Sequence, residues 1–199
     1  MSGVHRFQYT IRSVEGENGI YTPAYMQQLE DFSTWYSQQD KVGHVESITD
    51  TIKRLNKNLH GDDDNYYRIP DSQEAAAQYF LLYEFSLPQG LGLEDIQNFD
   101  RSATRMSVVL HKSSSEEMIA IDQRAQAWVK ANAPDLIVSE GSGLDLIFSH
   151  MAGRNIRSLL YGAFAALIMI SIVLIFALRS IRMGLISLIP NVVPIVIAY

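Results

Sequence analysis

The run Asp62-Asp63-Asp64-Asn65 is the part of the sequence whose residue types come nearest to a metal site. Carboxylate and amide oxygens are the ligands that Ca²⁺ prefers, and an EF-hand loop also needs glycine at its sixth position and glutamate at its twelfth. Counted from Asp62, those two positions hold Tyr67 and Gln73. The sequence therefore predicts a solvated turn between two helices here, and no calcium site.

Other groups that could do chemistry lack the spacing that their chemistry needs. None of the five histidines belongs to a recognisable metal-binding motif, and the chain has no cysteine to serve as a thiolate ligand or nucleophile. Ser142 lies between Gly141 and Gly143, without the pattern of a nucleophile elbow, a phosphate-binding loop or a dinucleotide fingerprint. We therefore predict no enzyme activity, no catalytic residue, no metal and no cofactor, and we interpret the two glycines as a flexible segment before a helix.

Between Arg157 and Arg179 the chain has 21 uncharged residues, SLLYGAFAALIMISIVLIFAL. A helix of this length is roughly 31 Å long, which matches the hydrocarbon core of a bilayer. Its Leu, Ile, Val and Phe residues together favour insertion by roughly 4 to 7 kcal/mol. We predict a transmembrane span over 158–178. A buried core helix is the alternative, and the absence of a polar stripe disfavours it.

A second uncharged stretch, 183–199, follows directly after Arg179-Ser-Ile-Arg182. Two apolar runs joined by a turn with two arginines predict a transmembrane hairpin with a cytoplasmic turn. Residues 1–157 would then be extracytoplasmic, although Arg154 and Arg157 at the other end of the span oppose that orientation. No apolar segment at the start of the chain would export residues 1–157, so we expect the chain to be a piece of a larger protein.

The charged residues divide the chain into two parts. Residues 1–157 hold 14 Lys and Arg against 22 Asp and Glu, a net charge of −8, whereas the remainder holds only Arg179 and Arg182. A nucleic-acid-binding domain needs a basic surface for the phosphates, and the totals of this domain do not supply one. We therefore expect no nucleic-acid partner.

The polar part of the chain begins with the pattern of a strand, a helix and a second strand. Residues 6–12 alternate strictly between apolar and polar side chains, which is typical of a half-buried strand. Thr22 and Pro23 are typical of a helix cap and a first helical position. The apolar residues that follow recur on one helical face: Tyr25, Leu29, Phe32 and Tyr36. A short second strand is predicted from three further residues: Val42, Val45 and Ile48.

A similar pattern recurs later in the polar part. Residues 106–110 alternate as a strand, and Ser113 and Ser114 each precede a glutamate by three residues, which predicts the start of a helix. The apolar face of that helix would contain Met118, Ile121, Ala125 and Trp128. Residues 136–138 follow as the last strand. Two such units predict an α+β fold over 1–143, a ferredoxin-like split β-α-β sandwich with its helices on one face of the sheet.

A helical insertion is predicted between the two units, at about 49–98. Its first helix has an apolar face formed by Ile48, Ile52, Leu55 and Leu59. Its second helix would begin at Asp71, with Glu74 three residues on, and run through AAAQYFLLYEFS. After the domain, Ser142 and Asp145 have the spacing of a capping box, which predicts one helix over 144–179 that contains the span.

Four segments, taken in order, resemble the RND (resistance-nodulation-division) superfamily of permeases, in particular its MMPL-like and predicted-exporter branches. They are LPQGLGLEDIQNFDRSATRMSVVL at 87–110, Gly141-Ser142-Gly143, Phe176-Ala-Leu-Arg-Ser180 and Ser187-Leu-Ile-Pro-Asn-Val-Val-Pro194. The chain is most similar to the second large periplasmic loop of that family, followed by the eighth helix and the start of the ninth.

This resemblance implies a porter-type domain in an exporter of hydrophobic or amphiphilic compounds that is driven by the proton motive force. The family's proton-relay acidic residues lie in other helices, so no catalytic position is carried over. The implied location is the bacterial inner membrane, as a multi-pass protein. The implied partners are the remaining transmembrane helices and first porter domain of the same permease, membrane lipids, a hydrophobic or lipid-like substrate, and a second copy in a homo-oligomer.

Within this hypothesis, aromatic residues of the helical insertion are predicted to contact substrate: Tyr79, Phe80, Tyr83 and Phe85. The alternative is that these residues simply belong to the core. The alternative function is an extracytoplasmic sensor domain of a membrane-anchored signalling receptor. A receptor helix should lead into a charged cytoplasmic linker, whereas here a second apolar run begins four residues after the first.

Overall fold

The computed structural model describes residues 4–88 and 92–178, so the second predicted span, 183–199, lies outside the described residues. The chain divides into two compact units, Met1–Ser149 and His150–Tyr199. The strands are β1 (His5–Ser13), β2 (Val42–Glu46), β3 (Ala103–Leu110) and β4 (Leu136–Val138). The helices are α1 (Pro23–Ser37), α2 (Ile48–Leu59), α3 (Gln73–Ser86), α4 (Ser115–Asn132) and α5 (Leu144–Leu178).

The four strands form one antiparallel sheet in the order β2-β3-β1-β4. Strand β1 is central: it pairs with β3 from His5 opposite Leu110 to Arg12 opposite Ala103, and with β4 around Arg12 opposite Ile137. Helix α1 connects β1 to β2 and α4 connects β3 to β4, and in both cases a third strand lies between the two connected strands. The predicted α+β class is confirmed.

The core is formed by the sheet and by the buried faces of helices α1 to α4. Phe7, Tyr9 and Ile11 of β1 are fully buried, as the alternating pattern predicted. The Thr22 hydroxyl accepts the N–H of Tyr25 at 3.4 Å, which caps α1 as expected. The predicted helical face is also fully buried: Tyr25, Leu29, Phe32 and Tyr36. Complete burial of each large apolar side chain contributes about 1.5 to 3 kcal/mol.

An aromatic cluster joins α1 and α4 over the sheet. The ring of Phe32 stacks on those of Trp35 and Trp128 at centroid distances of 6.0 and 5.5 Å. Phe32 also forms edge-to-face pairs with Tyr9 and Tyr36, at centroid distances of 6.4 and 5.7 Å. Trp128 is only partly buried, although the pattern predicted it on the core face of α4. Phe32 is therefore the centre of the contact between these layers.

The predicted insertion consists of α2 and α3. The structure differs from the prediction at the starts of both helices and in the exposure of one side chain. Ile48 does not extend β2 but begins α2, because Ser47 and Asp50 form a reciprocal capping box at that point. Leu59 was predicted on the apolar face of α2 and is 48% exposed. Asp71 does not cap α3, because its carboxylate binds the Arg68 guanidinium in a bidentate ion pair at 2.7 and 2.9 Å.

Serine side chains decide where α3 and α4 begin. The Ser72 hydroxyl accepts the N–H of Ala75 and caps α3 in place of Asp71. At α4, Ser114 forms the predicted capping box with Glu117. Ser113 does not, because its hydroxyl donates to the carbonyl of His111 at 2.8 Å.

Candidate functional site

The four aromatic residues predicted to contact substrate lie on α3 in different environments. Phe80 is 1% exposed and stacks on Tyr21 at 5.4 Å, so it belongs to the core of the domain. Tyr79 and Tyr83 are partly buried against the same core. Phe85 is 78% exposed. The structure thus does not bring the four rings to one surface, and their contact with substrate stays a prediction.

A cavity of about 620 Å³ lies beside the C-terminal half of α3. We call it the α3 cavity. It is bounded by α3, by the turn before the Gly19–Tyr21 helical turn, and by the segment that leads into β3. The residues that line it are Glu17, Asn18, Glu84, Leu93, Glu94, Gln97, Asn98, Phe99, Asp100 and Arg101. The volume falls within the range usual for small-molecule sites.

Backbone contacts hold the wall of the α3 cavity in place. The N–H of Asn18 donates to the carbonyl of Asp100 at 3.0 Å, and that of Ile20 donates to the carbonyl of Arg101. Asn98 closes the turn, because its side-chain oxygen accepts the N–H groups of Ser102 and Ala103. The contacts of Asn18 and Ile20 join positions about 80 residues apart, which explains why local sequence patterns did not reveal the cavity.

The lining of the α3 cavity is acidic. It carries the carboxylates of Glu17, Glu84, Glu94 and Asp100, and Arg101 is the single basic residue among the described residues that line it. Nearby, burial raises the pKa of the Tyr21 hydroxyl. The Glu84 carboxylate raises it further, although a hydrogen bond to Gln97 and the charge of Arg101 act in the opposite direction.

A second polar cluster lies inside the domain at the start of α5. The Tyr9 hydroxyl donates to Oδ1 of Asp122 at 2.9 Å and contacts the Tyr36 hydroxyl at 2.8 Å. Burial raises the pKa of both tyrosines, and the Asp122 carboxylate raises it further. The N–H of Gly141 donates to the same Asp122 oxygen at 3.0 Å. Because Tyr9, Tyr36 and Asp122 are all buried, this cluster anchors the chain rather than meeting a ligand.

The segment before α5 is docked on β1, which corrects two predictions. Ser142 pairs with Gln8 through both backbone groups, and its hydroxyl donates to the Gln8 carbonyl at 2.9 Å instead of capping α5. A side chain at position 143 would overlap the carbonyl oxygen of Arg6. Gly141 and Gly143 therefore allow close approach to neighbouring groups and do not form a flexible segment.

The C-terminal part of α5 is a long, apolar helical stretch with exposed side chains. Asn155–Val173 is a 19-residue stretch with a mean hydropathy of 2.0, and its large apolar side chains are mostly exposed. Among the described residues it is the one helical stretch long and apolar enough to cross a membrane, by length and composition alone. Leu159 is 72% exposed and Phe164 65%. A side chain added at Gly162 would meet no neighbouring group within 4 Å in the part of the chain that the structure describes.

No protein-family model and no curated protein matches this chain. What the protein does must therefore be inferred from its own residues.

The described residues contain no group of three or more potential ligands that could hold a metal ion. The acidic run is an exposed turn, as predicted, in which Asp63 accepts the N–H of Asn65 and Asp64 binds Lys57 at 2.6 Å. His60 stacks on Tyr66 at a centroid distance of 3.8 Å. The features with functional potential in the described residues are thus the α3 cavity and the exposed apolar part of α5.

Proposed function

We propose that the chain is part of an RND/MMPL-type exporter of the bacterial inner membrane, in which residues 1–143 form a porter-type domain and residues 1–157 lie outside the membrane. The exporter is driven by the proton motive force and moves hydrophobic or amphiphilic compounds. The domain gathers the substrate, and α5 anchors it in the bilayer. The acidic groups that move protons belong to other parts of the same permease.

The observation that carries the proposal is the exposure of the apolar part of α5. Side chains such as Leu159 and Phe164 are mostly exposed, and in water their exposure would be unfavourable. A bilayer removes that cost, because roughly 20 apolar helical residues span its hydrocarbon core. The same helix begins at Leu144 and includes Leu146, which is 1% exposed in the core of the domain.

The fold of the domain supports the porter assignment. The strand order β2-β3-β1-β4, with α1 and α4 as connections, is the order that a ferredoxin-like split β-α-β arrangement would require, and it supports that part of the proposal. Helices α2 and α3 lie between the two units, where the helical insertion was expected. A fold hosts many functions, so this agreement supports the proposal without carrying it.

Efflux from living cells tests the proposal. In the bacterium that carries the gene, cells are loaded with the neutral hydrophobic dye N-phenyl-1-naphthylamine, and its loss is followed by fluorescence. We expect slower efflux after deletion of the gene, recovery when the gene is restored, and no recovery when a protonophore collapses the proton gradient.

Two results would count against the exporter. If efflux is the same with and without the gene, the proposed transport function is wrong. If deletion changes transcription but not efflux, the sensor alternative is favoured. Efflux that needed the gene but persisted with the protonophore would retain transport and reject the proton motive force as its driver.

A further inference from the structure

Two arginines stand at the start of the predicted span, where the proposed orientation does not account for them. Arg154 and Arg157 are three residues apart in α5, so the helix places both positions on one face. Ser158 and Tyr161 follow four residues after each arginine, on the same face. Within about two turns, this face thus has four residues whose side chains can donate hydrogen bonds. We call it the arginine face.

The arginine face lies at the depth of the lipid headgroups when α5 spans a bilayer. With residues 158–178 in the hydrocarbon core, a helix length of roughly 31 Å, Arg157 lies at the boundary of the core and Arg154 about one turn outside it. Past Tyr161 the same face is apolar, with Phe164, Ile168 and Ile172. The donors are therefore confined to the part of the helix that meets the headgroup layer.

The arginine face lacks an acidic partner within the described residues. The chain has no Asp or Glu after Asp145, so α5 supplies no carboxylate within one turn of Arg157. Arg157 is exposed and forms no ion pair with the carboxylates of the part of the chain that the structure describes. Tyr161 is 71% exposed. Guanidinium groups pair with phosphate through two parallel hydrogen bonds, and tyrosine is enriched where a helix crosses the membrane surface.

We propose that the arginine face binds the headgroup of an anionic phospholipid such as phosphatidylglycerol. Arg154 and Arg157 bind the phosphate, and the hydroxyl groups of Ser158 and Tyr161 donate to headgroup oxygens. Phosphatidylcholine binds more weakly, because its own cation neutralises the phosphate. The bound lipid holds α5 at a fixed depth and is not the transported compound. The inference rests on the proposed insertion of α5 into a bilayer.

Quenching of a tryptophan by brominated lipids tests this lipid site. The full chain with Phe164→Trp is reconstituted in phosphatidylcholine vesicles that contain increasing fractions of dibrominated phosphatidylglycerol or dibrominated phosphatidylcholine. Position 164 is seven residues after Arg157, on the same face and about 10 Å deeper, where brominated acyl chains come close. Trp35 and Trp128 belong to the domain, and their signal is subtracted with the chain that lacks the substitution. The two quenching curves give the relative binding constant of the two lipids.

The two pairs of arginines provide matched variants. We expect Phe164→Trp to prefer phosphatidylglycerol by more than about fivefold, because each arginine near the surface contributes roughly that factor. Arg157→Gln should reduce the preference, and Arg154→Gln with Arg157→Gln should abolish it. Arg179→Gln with Arg182→Gln removes the same charge at the other end of the predicted span and should leave the preference unchanged. Quenching by dibrominated phosphatidylcholine shows in each variant that the helix is inserted.

Equal binding of the two lipids by Phe164→Trp would overturn the proposal, because Arg157 would then be paired with a group other than lipid. A preference that persisted in Arg154→Gln with Arg157→Gln would also overturn it. Both of these results would keep α5 in the membrane and leave the proposed function intact. Absence of quenching by either brominated lipid would overturn the membrane anchor as well as the lipid site.

Discussion

The domain and the C-terminal part of α5 use the same apolar residue types in opposite ways. In the domain, Phe7 and Phe32 are completely buried. In α5, Phe164 is 65% exposed and Phe176 79%. Because one chain carries both, the proposed function attributes the difference to two solvents: the domain excludes water from its own core, whereas the apolar side chains on the outer surface of the helix would face lipid.

The largest expected effect concerns the helix. The double variant Phe164→Asp, Ile172→Asp places two charges in the span and costs about 5 to 7 kcal/mol, which is comparable to the whole insertion energy of its apolar residues. In a chain that ends at Leu178 and so lacks the second apolar run, we expect the variant to be extracted from membranes by alkaline carbonate, whereas the same chain without the substitutions stays with the lipid.

The control for this experiment is another exposed aromatic residue, which belongs to the domain. Phe85→Asp also replaces an exposed phenylalanine by a charge, and it should leave membrane association unchanged. If the helix variant stayed in the membrane fraction, or if both variants left it, the contrast between the two regions would not hold.

The second effect concerns the core of the domain. Phe32→Ala removes the ring that contacts Tyr9, Trp35, Tyr36 and Trp128, and should lower the free energy of unfolding by about 3 to 5 kcal/mol. Urea unfolding followed by tryptophan fluorescence measures it. Phe176→Ala in α5 makes the same change in an exposed side chain and should leave the free energy of unfolding of the domain unchanged.

Much of the domain could be predicted because its signals are local. The alternation in β1, the Thr22 cap of α1 and the Ser114 capping box of α4 all depend on residues within a turn or two, and each is confirmed. Strand β4 also has the predicted bounds, Leu136–Val138.

Three of the wrong predictions share a physical cause, which is competition for a polar group. The motifs at Asp71, Ser113 and Ser142 have the right spacing for a cap, but Arg68, His111 and Gln8 engage these side chains instead. The α3 cavity depends on the contact between Asn18 and Asp100, which are far apart in the chain, and the polar turn around Asn98 was its one local signal.

A third prediction tests the polar anchor before α5. Asp122→Ala leaves the Tyr9 hydroxyl and the Gly141 N–H without their acceptor, and should lower the free energy of unfolding by about 1 to 3 kcal/mol. Asp122→Asn keeps an acceptor oxygen and should cost less. Equal losses for the two variants would mean that charge, rather than hydrogen bonding, holds this segment.

The smallest effect is a dependence on alkaline pH. Burial raises the pKa of Tyr9, Tyr25 and Tyr36 above the ordinary value of 10.0, so each holds its proton more tightly in the folded chain. Their contribution to stability is complete below pH 10 and is lost as the pH rises above it, by about 1.4 kcal/mol per pH unit for each tyrosine.

Urea unfolding between pH 9 and 11 measures this slope. Tyr25→Phe removes one of the three groups and should make the slope shallower, although the loss of its hydrogen bonds to Ile11 and Thr104 lowers stability at every pH. An unchanged slope in Tyr25→Phe would show that this tyrosine does not contribute.

The most direct test of the account is the location of the domain relative to the membrane. The chain has no cysteine, so a single introduced thiol reports its own position without background. Ser37→Cys, on the exposed end of α1, should react with a membrane-impermeant maleimide in intact spheroplasts, and Ser180→Cys should react only after permeabilisation. The reverse pattern, or equal labelling of both thiols without permeabilisation, would contradict an extracytoplasmic domain on a transmembrane helix.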